Sequence, residues 1–309
     1  MKPLFVISSP FDTYSGYGAR SRDLIKAIIE TDKYNVRLMS QRWGNTPFGF
    51  CDDNPEWKFL IDLTLINNQL TQQPDIWAQV TVPNEFQPVG KYNIGFTAGI
   101  ESTLCAAEWI EGCNRMDLNI VSSEHSKKVF KESKYKKRNK QTNDIEGMVE
   151  LTKPMEVLFE GANTDIYKVI NTPCSLDIKI KEDFAYLFVG HWMEVDLGED
   201  RKNVGLLVKA FFETFKNKTK KPALILKTSQ VTNSIMDRDE VLKKIDIIKQ
   251  TVKGDLPNIY LLHGDLDDKD INDLYNHGKV KAMISLTKGE GFGRPLLEFS
   301  LSKKPIIAS

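Results

Sequence analysis

Two carboxylates stand eight residues apart near the end of the chain, in the stretch Glu290-Gly-Phe-Gly-Arg-Pro-Leu-Leu-Glu298. Pro295 suits the first turn of a helix, where its missing N–H costs nothing. Gly291 and Gly293 let the backbone come close to a ligand. Residues 282–285, Ala-Met-Ile-Ser, read as the strand leading in. A strand ending in such a turn presents the N–H groups of a helix start at the sheet edge, which suits a phosphate. Carboxylates beside a phosphate repel it, so Glu290 and Glu298 are expected to accept hydrogen bonds from hydroxyls. A ligand whose phosphates are flanked by two polyols is a nucleotide-sugar.

The elements that would position these residues alternate between strand and helix. That pattern predicts an α/β architecture with mostly parallel sheets. In the first half, strands are expected at 4–8, 35–40, 76–82, 92–97 and 118–122, with helices over 19–30 and from 126. Residues 157–159 close that half. The pattern restarts with strands at 184–190, 223–227 and 259–263 and helices at 204–215 and 239–251. Asn171, Thr172 and Pro173 break periodicity, which places a linker over 169–180 and two domains at 1–172 and 173–309. A chain of 309 residues is long for one core and suits two.

Composition excludes several classes. The chain is 41% hydrophobic and 27% charged, the balance of an ordinary globular protein. Lys+Arg and Asp+Glu both total 42, so no global field favours nucleic acid. No apolar run approaches the roughly 20 residues that span a bilayer, and the first residues read as a strand, so a cytoplasmic protein is expected. Cys51, Cys105, Cys113 and Cys174 form no C-x-x-C pair, which points to neither zinc nor a disulfide framework. One tract is strongly basic: Lys127, Lys128, Lys131, Lys134, Lys136, Lys137, Arg138 and Lys140, followed by the polar residues 141–146. It reads as a solvated, partly mobile insertion.

Other constellations are weaker. Gly16-Tyr-Gly18-Ala19 lies between the first strand and helix, but the third glycine of G-x-G-x-x-G would fall at Ser21. The second strand ends in Ser40-Gln-Arg-Trp with no ribose-binding acid, so hydride transfer is not expected. Asp265-Leu-Asp267 and Asp237-Arg-Asp239 have a metal-binding D-x-D form, yet the first pair reads better as helix caps. The four histidines form no H-x-x-x-H pair. A metal site is not expected.

The filled motif E-G-F-G-x-P-x-x-E, with a strand before it and Lys304-Pro-Ile-Ile after it, resembles the E-x7-E element of retaining glycosyltransferases of the GT-B fold, family 4 type. The resemblance implies two Rossmann-like domains facing a cleft, with the acceptor on the first and the nucleotide-sugar on the second. Glu298 would bind ribose hydroxyls and Glu290 sugar hydroxyls. Gly291, Phe292, Gly293 and Arg294 would hold the diphosphate, with Pro295 and Leu296 opening the helix. Phe188-Val-Gly-His191 and Arg201-Lys-Asn203 fall where the family has V-G-R and a following K-G. Lys202 matches that lysine. His191 stands where a basic residue is usual, and Arg201 would supply the guanidinium. Such cations must stabilise the leaving nucleoside diphosphate as its bond breaks. Lys227, at a strand end, is a further donor-site candidate, and Gly16 and Gly18 would face the diphosphate from the first domain.

The stretch from Asn93 to Glu101, then Trp109, Asn114, Asp117 and Val121-Ser-Ser, is similar to the family's N-terminal pattern. It would put Glu101 near the acceptor or sugar, although Thr97-Ala-Gly stands where bulkier residues are common. The segment from Glu160 to Tyr167 is similar to N-G-V-D-x-x-x-F, which closes the N-terminal domain. The family mechanism lets the departing phosphate take the acceptor proton on the same face, with no protein base, metal or added cofactor. The acceptor (saccharide, lipid-linked or protein) stays open, and the basic tract permits peripheral membrane contact. A nucleotide-sugar epimerase and a non-catalytic nucleotide-sugar binder are the alternatives. Ser309 follows directly on the strand 305–308, where the family continues. The second domain is therefore expected to be truncated, its uncovered apolar surface favouring self-association.

Overall fold

The computed structural model describes all residues but 1, 100–101, 140–141, 172–175, 177, 194–196 and 231. Glu101, Lys140 and Cys174 therefore lie outside the described residues. The chain divides into two compact units, Met1–Glu160 and Gly161–Ser309.

The first unit carries strands β1 (Leu4–Ser9), β2 (Asn35–Ser40), β3 (Ile76–Val80), β4 (Tyr92–Phe96), β5 (Leu118–Val121), β6 (Tyr135–Arg138), β7 (Ile145–Val149) and β8 (Met155–Val157). Six of them form a parallel sheet in the order β2-β1-β3-β4-β5-β8. Its helices are α1 (Gly16–Glu30), α2 (Phe50–Asp53), α3 (Phe59–Asp62), α4 (Ala107–Cys113) and α5 (Glu124–Glu132). Strand β1 is apolar on both faces, as a covered parallel strand must be. Phe5 and Ile7 pack with Ile25, Leu38 and Val80 on one side, while Val6 packs with Trp77, Ile110 and Phe130 on the other.

Helix α1 begins earlier than expected, because Ser15 caps it by accepting from the Gly18 N–H at 2.9 Å. Gly16 and Gly18 thus form its first turn rather than a loop. A Cβ on Gly18 would stand 2.3 Å from the Thr13 carbonyl oxygen, so close packing accounts for that glycine. The basic tract also departs from expectation. Beyond the end of α5 the tract expected as a solvated, partly mobile insertion is largely exposed but folds as the antiparallel pair β6–β7. The Tyr135 hydroxyl donates to the Cys105 carbonyl, and Tyr135 and Val149 pack on the core, which anchors the pair.

The second unit holds β9 (Ala185–Val189), β10 (Ala223–Lys227), β11 (Ile259–Leu262), β12 (Val280–Ser285) and β13 (Ile306–Ala308), in the parallel order β11-β10-β9-β12-β13. Helices α6 (Val204–Phe215) and α7 (Ile235–Gln250) belong to the core on one face; α8 (Asp268–Asn276) and α9 (Arg294–Ser300) belong to that on the other. Residues 161–172, expected in the first domain, begin this unit. The Tyr167 hydroxyl donates to Asp268 at 2.9 Å, and the Lys168 and Ile170 N–H groups donate to Asn272 and Asn276 on α8. Helix α7 starts before the expected 239, because Ser234 accepts from the Asp237 N–H at 3.1 Å.

Each sheet winds in two directions from a middle strand. The turning points fall between β1 and β3 in the first sheet and between β9 and β12 in the second. Crevices open at the carboxyl ends of strands at such points, and ligands of open α/β sheets bind there. No helix among the described residues is long and apolar enough to cross a membrane.

Candidate functional site

In the second unit the turn after β9 and the loop after β12 are stitched together by backbone and side-chain bonds. Asp200, only 3% exposed, accepts from the N–H groups of Lys202 and Val204 at 3.1 and 3.2 Å. That fixes the turn on which Arg201 and Lys202 stand. Asn203 takes a left-handed φ of 53° as the cap of α6 and donates its amide to the Leu286 carbonyl at 3.0 Å. The Lys288 N–H donates to the Arg201 carbonyl at 2.9 Å, and the Arg201 guanidinium donates to the Gly289 carbonyl at 2.8 Å. The Thr287 hydroxyl also donates to Gly289 at 2.9 Å.

Glu290 is thereby brought onto the two cations. Its Oε1 and Oε2 accept from the Lys202 ammonium at 2.5 and 2.6 Å, and Arg201 Nη1 lies 3.5 Å from Oε2. Of the three N–H donors on that ammonium, two serve Glu290. None of the described residues takes the third. Gly293 holds φ at 84°, where any side chain is strained, and caps α9 with Pro295 in its first turn. Arg294 and Glu298 pair one turn apart on that helix, Nε to Oε1 at 3.1 Å, with Glu298 only 8% exposed. Gly291 and Phe292 form the bend before the helix, and Leu296 sits in its first turn.

His191 and Lys227 stand at the ends of β9 and β10 on the same edge. The His191 ring lies 3.4 Å from the Ser229 hydroxyl. Although the residue as a whole is exposed, packing around its ring, with Lys202 and Lys227 nearby, holds its pKa below the ordinary imidazole value. Lys227 donates to the Gly264 carbonyl at 2.6 Å, and burial lowers its pKa, partly offset by Asp265. A neighbouring pair, His263 Nε2 and Asp237 Oδ1 at 2.8 Å, is nearly fully buried. Asp237 also accepts from the N–H groups of Gln230 and Thr232, both at 2.9 Å, so it orders that loop. Asp267 caps α8 and Asp265 accepts from Asn233.

The structure therefore brings Arg201, Lys202 and Glu290 into one ionic cluster, with Gly291, Phe292, Gly293, Arg294, Pro295, Leu296 and Glu298 continuing from it. Asp200 and Thr287 were missed by sequence reasoning, and Asn203 was named only as the residue after Lys202, without its role of tying the two loops. An aspartate just ahead of an apolar helix was a signal for Asp200, but nothing local marks the other two. In the first unit, Trp109 stacks on Phe130 with centroids 6.2 Å apart, Asn114 caps α4, and Asp117 accepts from Asn93 at 2.9 Å. Those residues have structural roles.

Two Rossmann-like units of parallel sheet, each flanked by helices, define the GT-B fold. Solved glycosyltransferase structures share it across the chain. Sucrose-phosphate synthase from Thermosynechococcus elongatus aligns over 100% of this chain and 81% of its own, with TM-score 0.62 and 12% identity. HepE from Anabaena in complex with UDP-glucose aligns over 99% and 80%, with TM-score 0.57 and 14% identity. A structure described as trehalose-6-phosphate from E. coli bound with UDP-2-fluoro glucose aligns over 99% and 83%, with TM-score 0.55 and 12% identity. No family model and no curated protein sequence matches the chain.

Proposed function

We propose that this protein is a retaining glycosyltransferase that moves a hexosyl group from a nucleotide-sugar to an acceptor. The unit from Gly161 would hold the donor and the unit up to Glu160 the acceptor. The observation that carries this reading is the convergence of Lys202 and Arg201 with Glu290 at the turning point of the second sheet. Among the described residues nothing takes the third N–H of Lys202, which leaves it for a phosphate oxygen, and Arg201 stands on the same turn. As the glycosidic bond breaks, charge develops on the diphosphate, and fixed cations stabilise it without reorganisation. Glu290 would accept from sugar hydroxyls while holding the Lys202 ammonium in place. Glu298, next along the helix, would accept from the ribose. Fixed cations and helix N–H groups suffice for this electrostatic role, so the reading needs no divalent metal. The departing phosphate would take the acceptor proton on the face it leaves, which preserves the anomeric configuration.

UDP-glucose is the first donor to test, since solved structures of the same fold bind it. The chain should be incubated with UDP-glucose and a panel of acceptors and the products followed by proton NMR. Transfer with the donor's anomeric configuration, unaffected by EDTA, is the expected result. An epimerised nucleotide-sugar without transfer, or inversion at the anomeric carbon, would overturn the reading.

A further inference from the structure

We propose that the cavity at the amino edge of the second sheet is a separate ligand site, which binds a neutral saccharide on an aromatic floor. It lies at the opposite end of the strands from Lys202 and Glu290 and is independent of the proposed transfer. The residues before β9 and β10, with the last residue of α6, enclose about 680 Å3. Small-molecule sites occupy roughly 300–1,000 Å3. Strands β9 and β10 have five residues each. At about 3.3 Å per residue, roughly 17 Å of strand therefore separates this edge from the one that carries His191 and Lys227.

The floor is built from rings that hold one another. Tyr186 on β9 and Phe215 at the end of α6 have centroids 6.0 Å apart, and Phe184 meets Tyr186 at 5.0 Å. Phe211, buried one turn back on α6, supports Phe215 at 5.0 Å. Phe184, Tyr186 and Phe215 all line the cavity, and Phe184 is 41% exposed, so ring surface is left for a ligand. The frame around them is tied on both sides. The Ala223 N–H donates to the Phe184 carbonyl at 2.8 Å, and the Lys181 N–H to the Tyr260 hydroxyl at 3.2 Å. Tyr260 and Asn258 donate in turn to the Glu182 carboxylate at 2.9 and 2.6 Å. Opposite, the Asn217 N–H donates to the Asp255 carbonyl and the Asp255 N–H to the Asn217 side-chain oxygen, both at 2.8 Å. A frame ordered before binding spares the ligand that entropic cost.

The polar groups around the floor select a neutral polyol. Asp183, Thr219 and Lys220 line the cavity, are exposed, and make no side-chain hydrogen bond or ion pair among the described residues. The Tyr186 hydroxyl makes none either. Together they can accept from and donate to vicinal hydroxyls while the C–H face of a pyranose lies on the rings. A phosphate is poorly served, because the carboxylates of Glu182 and Asp183 line the same cavity and Lys221, the second lysine there, is paired with Asp255. A cation would meet those two lysines. A fatty chain would strip water from the unpaired charges of Asp183 and Lys220. An extended peptide finds no free sheet edge, since β9 and β10 are interior strands. For the proposed transfer, a glycan held at this cavity is kept at high effective concentration without filling the donor edge.

The test is saturation-transfer NMR of the whole chain with methyl glucoside, methyl mannoside, methyl galactoside, methyl N-acetylglucosaminide, maltose and cellobiose, each with and without UDP. UDP-glucose binding is measured calorimetrically alongside. At least one saccharide should bind saturably and keep its affinity when UDP is present. Its Kd should rise about tenfold in Phe184→Ala and return most of the way in Phe184→Tyr, with the melting temperature of each variant recorded. Asp183→Ala, a change at the exposed rim, should weaken it a few-fold and keeps the test decisive if Phe184→Ala does not fold. UDP-glucose affinity should be the same in every chain. No saturable binding by any of these saccharides, displacement of the bound one by UDP, or unchanged affinity in both alanine variants would overturn the site. A dimer that Phe184→Ala dissociates, without a saccharide response, would overturn it in favour of a contact between copies. If a saccharide binds through Phe184 while UDP-glucose does not bind at all, the proposed function falls and this site stands.

Discussion

In the unit from Gly161, the turn after β9 and the loop after β12 meet as ions, with Lys202 and Arg201 on Glu290 and Arg294 on Glu298. In the unit up to Glu160, the first turn of α1 and the loop after β2 meet as stacked rings, Tyr17 on Trp43, with the cations Arg20 and Arg22 turned into supports. Both edges stand at the turning point of a parallel sheet, so topology alone makes each a candidate for a ligand. Side chains then decide which ligand. One edge carries paired ions that can neutralise developing charge; the other carries a stacked pair of aromatic rings.

The largest expected effect lies on the ionic edge. Lys202→Ala should lower turnover about a hundredfold, read as kcat in a coupled assay for released nucleoside diphosphate. A loss below about threefold would mean that the diphosphate lies elsewhere. Next, Glu298→Gln should weaken UDP binding by about 1.5–3 kcal/mol, the scale of a charge-assisted hydrogen bond. Glu290→Gln should instead keep or raise UDP affinity, because it releases Lys202, while impairing recognition of the sugar. Equal losses in the two variants would break the division of labour along the motif.

On the other edge, Gly18→Ala should destabilise the first unit by about 1–3 kcal/mol through overpacking, since its Cβ would stand 2.3 Å from the Thr13 oxygen. Chemical denaturation would read that loss, and UDP affinity measured in native buffer should persist. A loss of UDP binding at full folding would show that the first turn of α1 contacts the donor.

The smallest effect concerns His191. Its pKa is held down by packing and by Lys202 and Lys227, so it is mainly neutral at neutral pH. A bound diphosphate would raise that pKa, so binding takes up a proton and tightens as the pH falls. UDP-glucose affinity should rise a few-fold between about pH 8 and pH 6, and His191→Gln should flatten the profile. UDP-glucose suits this measurement because both of its phosphates are diesters that do not titrate in the window. The lowered pKa also means that stability falls as the pH drops through and below about 6.5, since the unfolded imidazole takes its proton first.

Much of the second sheet's edge was legible in sequence because its residues are local. The glycines, proline and two glutamates of residues 290–298 lie in one strand-to-helix turn, and each has a backbone or charge reason. The clamp of Lys202 on Glu290 was not legible, because it joins loops 88 residues apart through a sheet register. Trp43 was passed over because the end of β2 was searched for an acid, and stacking on Tyr17 leaves no local periodic mark. Gly18 read as a loop residue, although its cause is packing against Thr13. Charge density hid the β6–β7 pair, whose few apolar anchors are outnumbered by lysines. The break between units was placed too late because residues 163–170 dock on α8 through one buried ring, Tyr167, and scattered bonds to Asp268, Asn272 and Asn276, which leave no periodic mark.

The most direct measurement is hydrogen–deuterium exchange of the whole chain with and without saturating UDP-glucose. Protection should be largest in peptides around Lys202 and around Glu290 to Glu298, with little change around Trp43. No protection at those two segments, or protection greatest around Trp43, would contradict the assignment of the donor to the ionic edge.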